Sequence, residues 1–292
     1  MTPAVPTPAV LAAGARPDAP RAAPLGRLLG AELTWVLRRP RTLVMLAVLA
    51  LIPVVIAFGV TVVDGGPGGG PGLIGSVAGN GLVLPVASIT VALALLLPLV
   101  VATAAADALA GEAASGTLRG LMLAPVGRLR LVLMKVFGVL VVATLAVLLI
   151  AVVGVLAALV VVGTAEGQLV TLSGTTVGIG DAVVRVLVAV VWTVGQLAAV
   201  GAVALAISSW TEHPIVVLAS VLGGLIVFGV LAVIPALDWL RPYLLTSGWP
   251  AAADVLRDPM PLGGLVGSSL RALCYTAVGA GLTMYRMLSR DA

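Results

Sequence analysis

Six stretches of this chain, about residues 42–63, 81–106, 136–162, 183–208, 214–236 and 265–287, are apolar over enough length to cross a bilayer. About 20 residues of α-helix span the roughly 30 Å of hydrocarbon. Inside that hydrocarbon no water can pair a backbone N–H or C=O, so a single segment satisfies itself only as a helix. The expected fold is therefore an all-α membrane protein with six transmembrane helices. Composition agrees: of 292 residues 61% are hydrophobic and 10% charged, against about 25% charged in a soluble domain. Pro53 lies in the first stretch, and Pro85 and Pro98 in the second. Kinks there are tolerated where neighbouring helices satisfy the freed carbonyls.

The segments between the spans differ in character. Residues 1–24, rich in Ala and Pro, read as a disordered tail rather than a signal peptide. Residues 25–37 place Leu25, Leu28, Leu29, Leu33, Val36 and Leu37 near one helical face, with Arg27 and Glu32 off it. That is an amphipathic helix lying at the membrane surface. Arg38, Arg39, Pro40 and Arg41 then stop it before the first span. Residues 64–80 and 163–182 are Gly-rich linkers, and the turn at 209–213 is short. Residues 237–264 carry Trp239, Tyr243 and Trp249, which suits one or two short helices lying at the interface.

The basic residues set the orientation. With the N-terminus inside, Arg27, Arg38, Arg39, Arg41, Arg119, Arg128, Arg130, Lys135, Arg286 and Arg290 face the cytoplasm. Arg185, Arg241, Arg257 and Arg271 face outward. This bias puts both termini and residues 107–135 in the cytoplasm. It also accounts for the net charge of +4 without a nucleic-acid partner.

Several chemistries find no support in the residues. The Gly-rich run at 64–80 has no following Lys-Ser or Lys-Thr pair, so no phosphate-binding loop is encoded. One cysteine, Cys274, and one histidine, His213, cannot build a metal cluster. His213 sits in a short turn before Pro214, with no nucleophile placed for it. Asp107, Glu112 and Asp181 fall at span ends, and no acid stands at mid-membrane, against a proton-coupled transporter. Arg271 lies about two turns inside the last span. It either snorkels to the interface or lines a polar path. Arg185 has the same two readings, with Asp181 four residues earlier as its helical partner.

Residues 111–135, GEAASGTLRGLMLAPVGRLRLVLMK, lie between two spans and carry four basic residues, Arg119, Arg128, Arg130 and Lys135. Ala114, Leu118, Leu121 and Met122 make an apolar stripe at helical spacing, and Pro125 ends it. The pattern predicts a short helix near 113–124, a turn, and a second helix from about Arg128 into the third span. Gly116 and Gly120 each cost a helix about 1 kcal/mol against Ala. So poor a helix needs a surface to dock on, either lipid or the groove of a soluble partner.

This stretch resembles the coupling-helix region of ABC-2 type (type V) ABC transporter permeases. The resemblance rests on Glu112, Gly116-Thr117-Leu118-Arg119, Leu121-Met122, Pro125-Val126-Gly127-Arg128 and Lys135. It extends to the basic entry at 38–42, the segment 241–259 and the C-terminal RMLSRDA, familiar from six-span bacterial members of actinobacterial type. It covers residues 25–292 in order and spacing.

The resemblance implies an ABC-2 permease fold in which 112–125 is the coupling helix and 25–37 the connecting helix, with Leu29, Glu32, Leu33 and Val36 facing the partner. Leu118, Leu121 and Met122 would be apolar anchors, with Glu112 and Arg119 charged partners at the rim. No cofactor is bound by this chain; ATP and Mg are held by a separate cytosolic ATPase. Two permeases, identical or different, pair with two ATPases in the cell membrane. Export is the expected direction. The path between spans two and five would be lined by apolar residues and a few polar ones such as Thr90, Thr193 and Gln196, with Arg271 the polar-path candidate of the last span. That lining suits an amphipathic or lipophilic cargo. From another class, the chain is an anchor or accessory protein that binds a cytosolic partner and transports nothing.

Overall fold

The computed structural model describes residues 25–62, 80–116, 127–161 and 169–289. An N-terminal helix, Leu25–Leu37, precedes span 1, Pro40–Val62. Span 3 is Arg128–Val161, span 4 Ile179–Trp210, span 5 Pro214–Val233 and span 6 Leu262–Ser289. The tail at 1–24 and most of the Gly-rich linker at 64–80 lie outside the described residues.

Span 2 corrects an expectation. A single helix over 81–106 is replaced by two, Val83–Leu93 and Leu96–Ala106. Pro98 is the cause. Its ring crowds the carbonyl of Ala94 four residues back, and it has no N–H to offer that carbonyl. The backbone leaves helical geometry at Leu95, with φ −151° and ψ −46°. Pro85 stands in the first turn, where a missing N–H is harmless. Pro53 stays inside an unbroken span 1. Beyond Ala106 the chain widens into a π-helical turn, Asp107–Gly111, and closes with Glu112–Ala114.

Spans 2, 3 and 4 supply most of the core, including Leu84, Ile89, Leu97, Ile150 and Leu197, all fully buried. Small residues bring the helices together, as they do where lipid gives no hydrophobic push. A methyl on Gly279 of span 6 would lie 2.6 Å from the Ala202 carbonyl carbon of span 4. One on Gly154 of span 3 would lie 2.8 Å from Pro85 Cα. Span 5 buries Val217 and Val221 and packs the partly buried Leu218, Leu225 and Phe228 against the core, leaving Ile215, Ile226 and Val230 among those exposed.

The two ends of the bundle differ. One end gathers Arg39, Arg41, Arg128, Lys135 and Arg286 and is called here the basic end. The other carries a two-stranded antiparallel hairpin, β1 (Leu169–Val170) on β2 (Thr176–Val177), and two 3-10 stretches, Pro235–Tyr243 and Leu245–Leu256. The short helices expected in 237–264 are present in this tighter form. Trp239 and Tyr243 are exposed as an interfacial segment requires, but Trp249 is buried, a departure from the expected belt.

Arg185 pins this hairpin end. Its guanidinium donates to Asp181 at 2.9 Å, to the carbonyls of Val255 and Arg257 at 3.0 and 2.7 Å, and to Asp258 at 3.3 Å. The expected Asp181 partner is there, together with three others. Arg185 is thereby committed to the hairpin end by four partners. Thr175 donates to Asp258 at 2.9 Å, and the Asp258 N–H donates to Ser173 at 3.0 Å, sewing hairpin to 3-10 segment.

Candidate functional site

At the basic end the N-terminal helix crosses span 3 and lowers Glu32 against it. Amphipathic spacing sets Glu32 off the apolar face, yet it is among the buried residues while Gly26, Arg27 and Gly30 are exposed. Gly138 makes the room: a methyl there would lie 3.1 Å from Glu32 Cγ and Oε1. One turn earlier on span 3, Lys135 meets the same carboxylate. Its ammonium donates to both Glu32 oxygens at 3.2 Å and to Glu112 Oε1 at 2.5 Å. The Lys135 side chain is 2% exposed and those of Glu32 and Glu112 7% and 8%. Charges so buried are tolerated only when paired and hydrogen-bonded. An ammonium, with three donors on one point charge, suits three oxygens arriving from two helices.

A second cluster adjoins the first. Asp107 takes Arg39 at 2.8 Å and Arg41 at 3.4 Å, tying the start of span 1 to the end of span 2. A small cavity of about 20 Å³, bordered by Glu32, Arg39, Asp107 and Lys135, separates the two. Among the described residues the joined cluster sets three carboxylates, Glu32, Glu112 and Asp107, against three cations, Lys135, Arg39 and Arg41.

The π-helical turn delivers Glu112 to this cluster. Such a turn leaves backbone groups out of step with the ladder. Ser208 of span 4 satisfies them, accepting from the Ala110 N–H at 2.9 Å and donating to the Ala106 carbonyl at 3.4 Å. Two further contacts tie the same end. Arg128, at the start of span 3, donates to the Leu288 carbonyl at 2.6 Å and so caps span 6. The Arg286 guanidinium lies 4.8 Å from the Trp210 ring centroid, joining the ends of spans 6 and 4.

One expectation changes here. Glu112 does not stand at an exposed rim; it is buried against Lys135. Of the helix expected near 113–124, the described part is the turn Glu112–Ala114. Gly116 takes the left-handed conformation, φ 74°, and its N–H returns to the Ala113 carbonyl, a glycine stop that a side chain would resist. Thr117, Leu118, Arg119, Leu121, Met122 and Pro125 lie outside the described residues. On the N-terminal helix Leu29 and Leu33 are half-buried, and the side chain of Val36 lies outside the description.

The polar residues of the spans do not form one site. Thr90 is half-buried and donates to Val86 of its own helix at 2.8 Å. Thr193 and Gln196 share a face of span 4, and their hydroxyl and amide have no hydrogen-bond partner among the described residues. Arg271 donates to the Leu244 carbonyl at 2.6 Å and to Ser247, bracing the 3-10 segments. Among the described residues no hydrogen bond joins any two of these four. His213 serves as the N-cap position of span 5, ahead of Pro214. Cys274 is exposed on span 6 rather than packed.

The Glu32–Lys135–Glu112 link escaped sequence reasoning. Its signal was present: the chain's single lysine, and the one acid of the N-terminal helix. The rest depends on a crossing of helices that spacing along the chain does not encode.

A family model described as ABC-2 family transporter protein matches residues 28–207. The chain belongs to the ABC-2 transporter family. The match runs from the N-terminal helix through span 4 and so contains every residue of the joined charge cluster. Six helices long and apolar enough to cross a membrane fit an ABC-2 permease, a transmembrane transport subunit rather than the ATPase. The comparison with curated proteins finds no match.

Proposed function

We propose that this ABC-2 family chain is the permease of an ATP-driven exporter of an amphipathic or lipophilic compound. A separate cytosolic ATPase, binding ATP and Mg, drives it through residues 112–125. Two permease protomers assemble in the bacterial cell membrane with both termini in the cytoplasm. One observation carries this reading: Lys135 holds Glu32 and Glu112 together. The residue that opens the coupling segment, the connecting helix and the root of span 3 are thereby one mechanical unit. A push on 112–125 reaches span 3 directly through Lys135 and span 1 through the Asp107 pairs. In this arrangement Leu118, Leu121 and Met122 anchor the partner, and Arg119 pairs at its rim. Gly116 sets the angle at which the segment leaves the bundle.

The test is purification of a tagged chain from its native membrane in mild detergent. Wild type is expected to bring an ATP-hydrolysing subunit, and Leu118→Asp/Met122→Asp to lose about tenfold or more of it, as apolar anchors do when charged. A wild-type chain arriving without an ATPase ends the coupling reading. An ATPase that co-purifies but is never stimulated by any lipophilic compound favours the anchor reading instead.

A further inference from the structure

Spans 4 and 6 touch closely where Gly279 meets Ala202 and are joined again nearer the hairpin end, where Trp192 donates to Ser268. Alongside this seam lies a groove of about 620 Å³, lined by Val184, Leu187, Val191, Gln196, Leu273 and Thr276 among others. Val184, Leu187, Val191 and Leu273 are exposed, so the groove opens outward on the side a bilayer would cover. Between residues 184 and 198 it runs about 21 Å along span 4 at 1.5 Å per residue, roughly the depth of one leaflet and a little more.

Its floor holds an unusual group. Gln196 is 0% exposed, and among the described residues neither its amide nitrogen nor its amide oxygen has a hydrogen-bond partner. It stands about 25 Å along a helix about 48 Å long, near mid-membrane, where an unpaired amide is costly. The other donors at the groove are committed. Trp192 Nε1 donates to Ser268 at 3.1 Å, Ser269 to the Leu265 carbonyl at 2.7 Å, and Thr276 to the Ala272 carbonyl at 2.8 Å. No charged residue lines it.

We propose that this groove is a lateral binding site for a neutral lipophile bearing one hydroxyl or carboxamide, which Gln196 receives. The amide offers a donating NH2 and an accepting carbonyl oxygen, so its complement is a group that both donates and accepts. Because the amide is enclosed, the ligand reaches it by displacing the groove's apolar lining, and the soft terminal torsion of Gln196 lets the amide turn to meet it. Charged groups are excluded, because nothing in the groove balances them. Phospholipids are excluded because their headgroups stay at the interface, about 15 Å from the depth of Gln196. The site stands apart from ATP coupling and is read on the permease alone.

The experiment uses the full chain in nanodiscs, with a diazirine-bearing hexadecanol as photolabel and the matching diazirine alkane as its control. The alcohol is expected to label residues 184–198 and 269–276. Gln196→Leu should lower labelling about tenfold, the worth of a hydrogen bond or two. Gly195→Trp should abolish it, since Gly195 lines the groove and a Cβ added there meets nothing within 4 Å, so the indole is directed to the space the ligand would fill. Thermal midpoints of both variants report that they fold. Equal labelling by the alkane shows bilayer chains only and overturns the proposal. So does an absence of label in folded wild type, which leaves the amide to water or to repacking. So does a disulfide-linked dimer of Gly195→Cys in a Cys274→Ala background, which puts a second copy in the groove.

Discussion

Lys135 shows how much one side chain can carry in this protein. Its ammonium is shared by two carboxylates from different elements, all three nearly out of reach of water. Removing one partner from such a group leaves uncompensated charge, which typically destabilises by about 3–5 kcal/mol. Lys135→Met should therefore lower the thermal midpoint of the purified permease sharply. Lys135→Met/Glu32→Gln/Glu112→Gln, which removes the stranded charges, should recover most of the loss. Thermal unfolding followed by size-exclusion fluorescence reads both. If single and triple variants melt alike, the three residues are neighbours without being an energetic unit. Neither acid announced this role along the chain. Glu32 reads as the polar side of an amphipathic helix, and Glu112 as a surface charge beside a docking segment.

At the scale of elements, apolar length marked the spans well. Spans 1, 3, 4, 5 and 6 begin and end within a few residues of the expected limits, apart from the start of span 3. That start was anticipated, as a helix running from about Arg128. Span 2 was less legible. Pro98 was visible, but whether a proline kinks a helix or divides it depends on what packs around it. The packing of helix on helix was also hidden, because glycines of identical type do different work. A methyl at Gly279 would meet the Ala202 backbone at 2.6 Å, whereas one at Gly223 of span 5 meets nothing within 4 Å. Gly279→Ala should thus lose about 1–3 kcal/mol through overpacking against an immovable neighbour. Gly223→Ala should be neutral or gain up to about 1 kcal/mol of helix propensity. Thermal midpoints of the two variants, compared in one detergent, check the contrast. Equal midpoints would mean that spans 4 and 6 are not held together at Gly279.

For the whole molecule, the arrangement makes orientation testable. The contacts Arg39–Asp107 and Arg128–Leu288 put the start of span 1, the end of span 2, the start of span 3 and the end of span 6 at one basic end. In a Cys274→Ala background, a membrane-impermeant maleimide applied to intact cells should label Asp238→Cys and spare Gly127→Cys until the cells are opened. The reverse pattern would invert the orientation drawn from the arginines. The sequence by itself determined the medium, the number of helices and the class of subunit. The medium and the spans follow from lengths of apolar residues, a local property of the chain, and the class of subunit from the resemblance of 111–135 and its companion segments to ABC-2 permeases. Only the tertiary structure decided that Glu32 is buried, that Glu112 is buried against Lys135 of span 3, that Arg185 pins a cap, and that Gln196 has no hydrogen-bond partner among the described residues. Those outcomes depend on which faces of separate helices meet. Between residues as distant as Glu32 and Lys135, meeting is set by the packing of the whole bundle and not by any spacing along the chain.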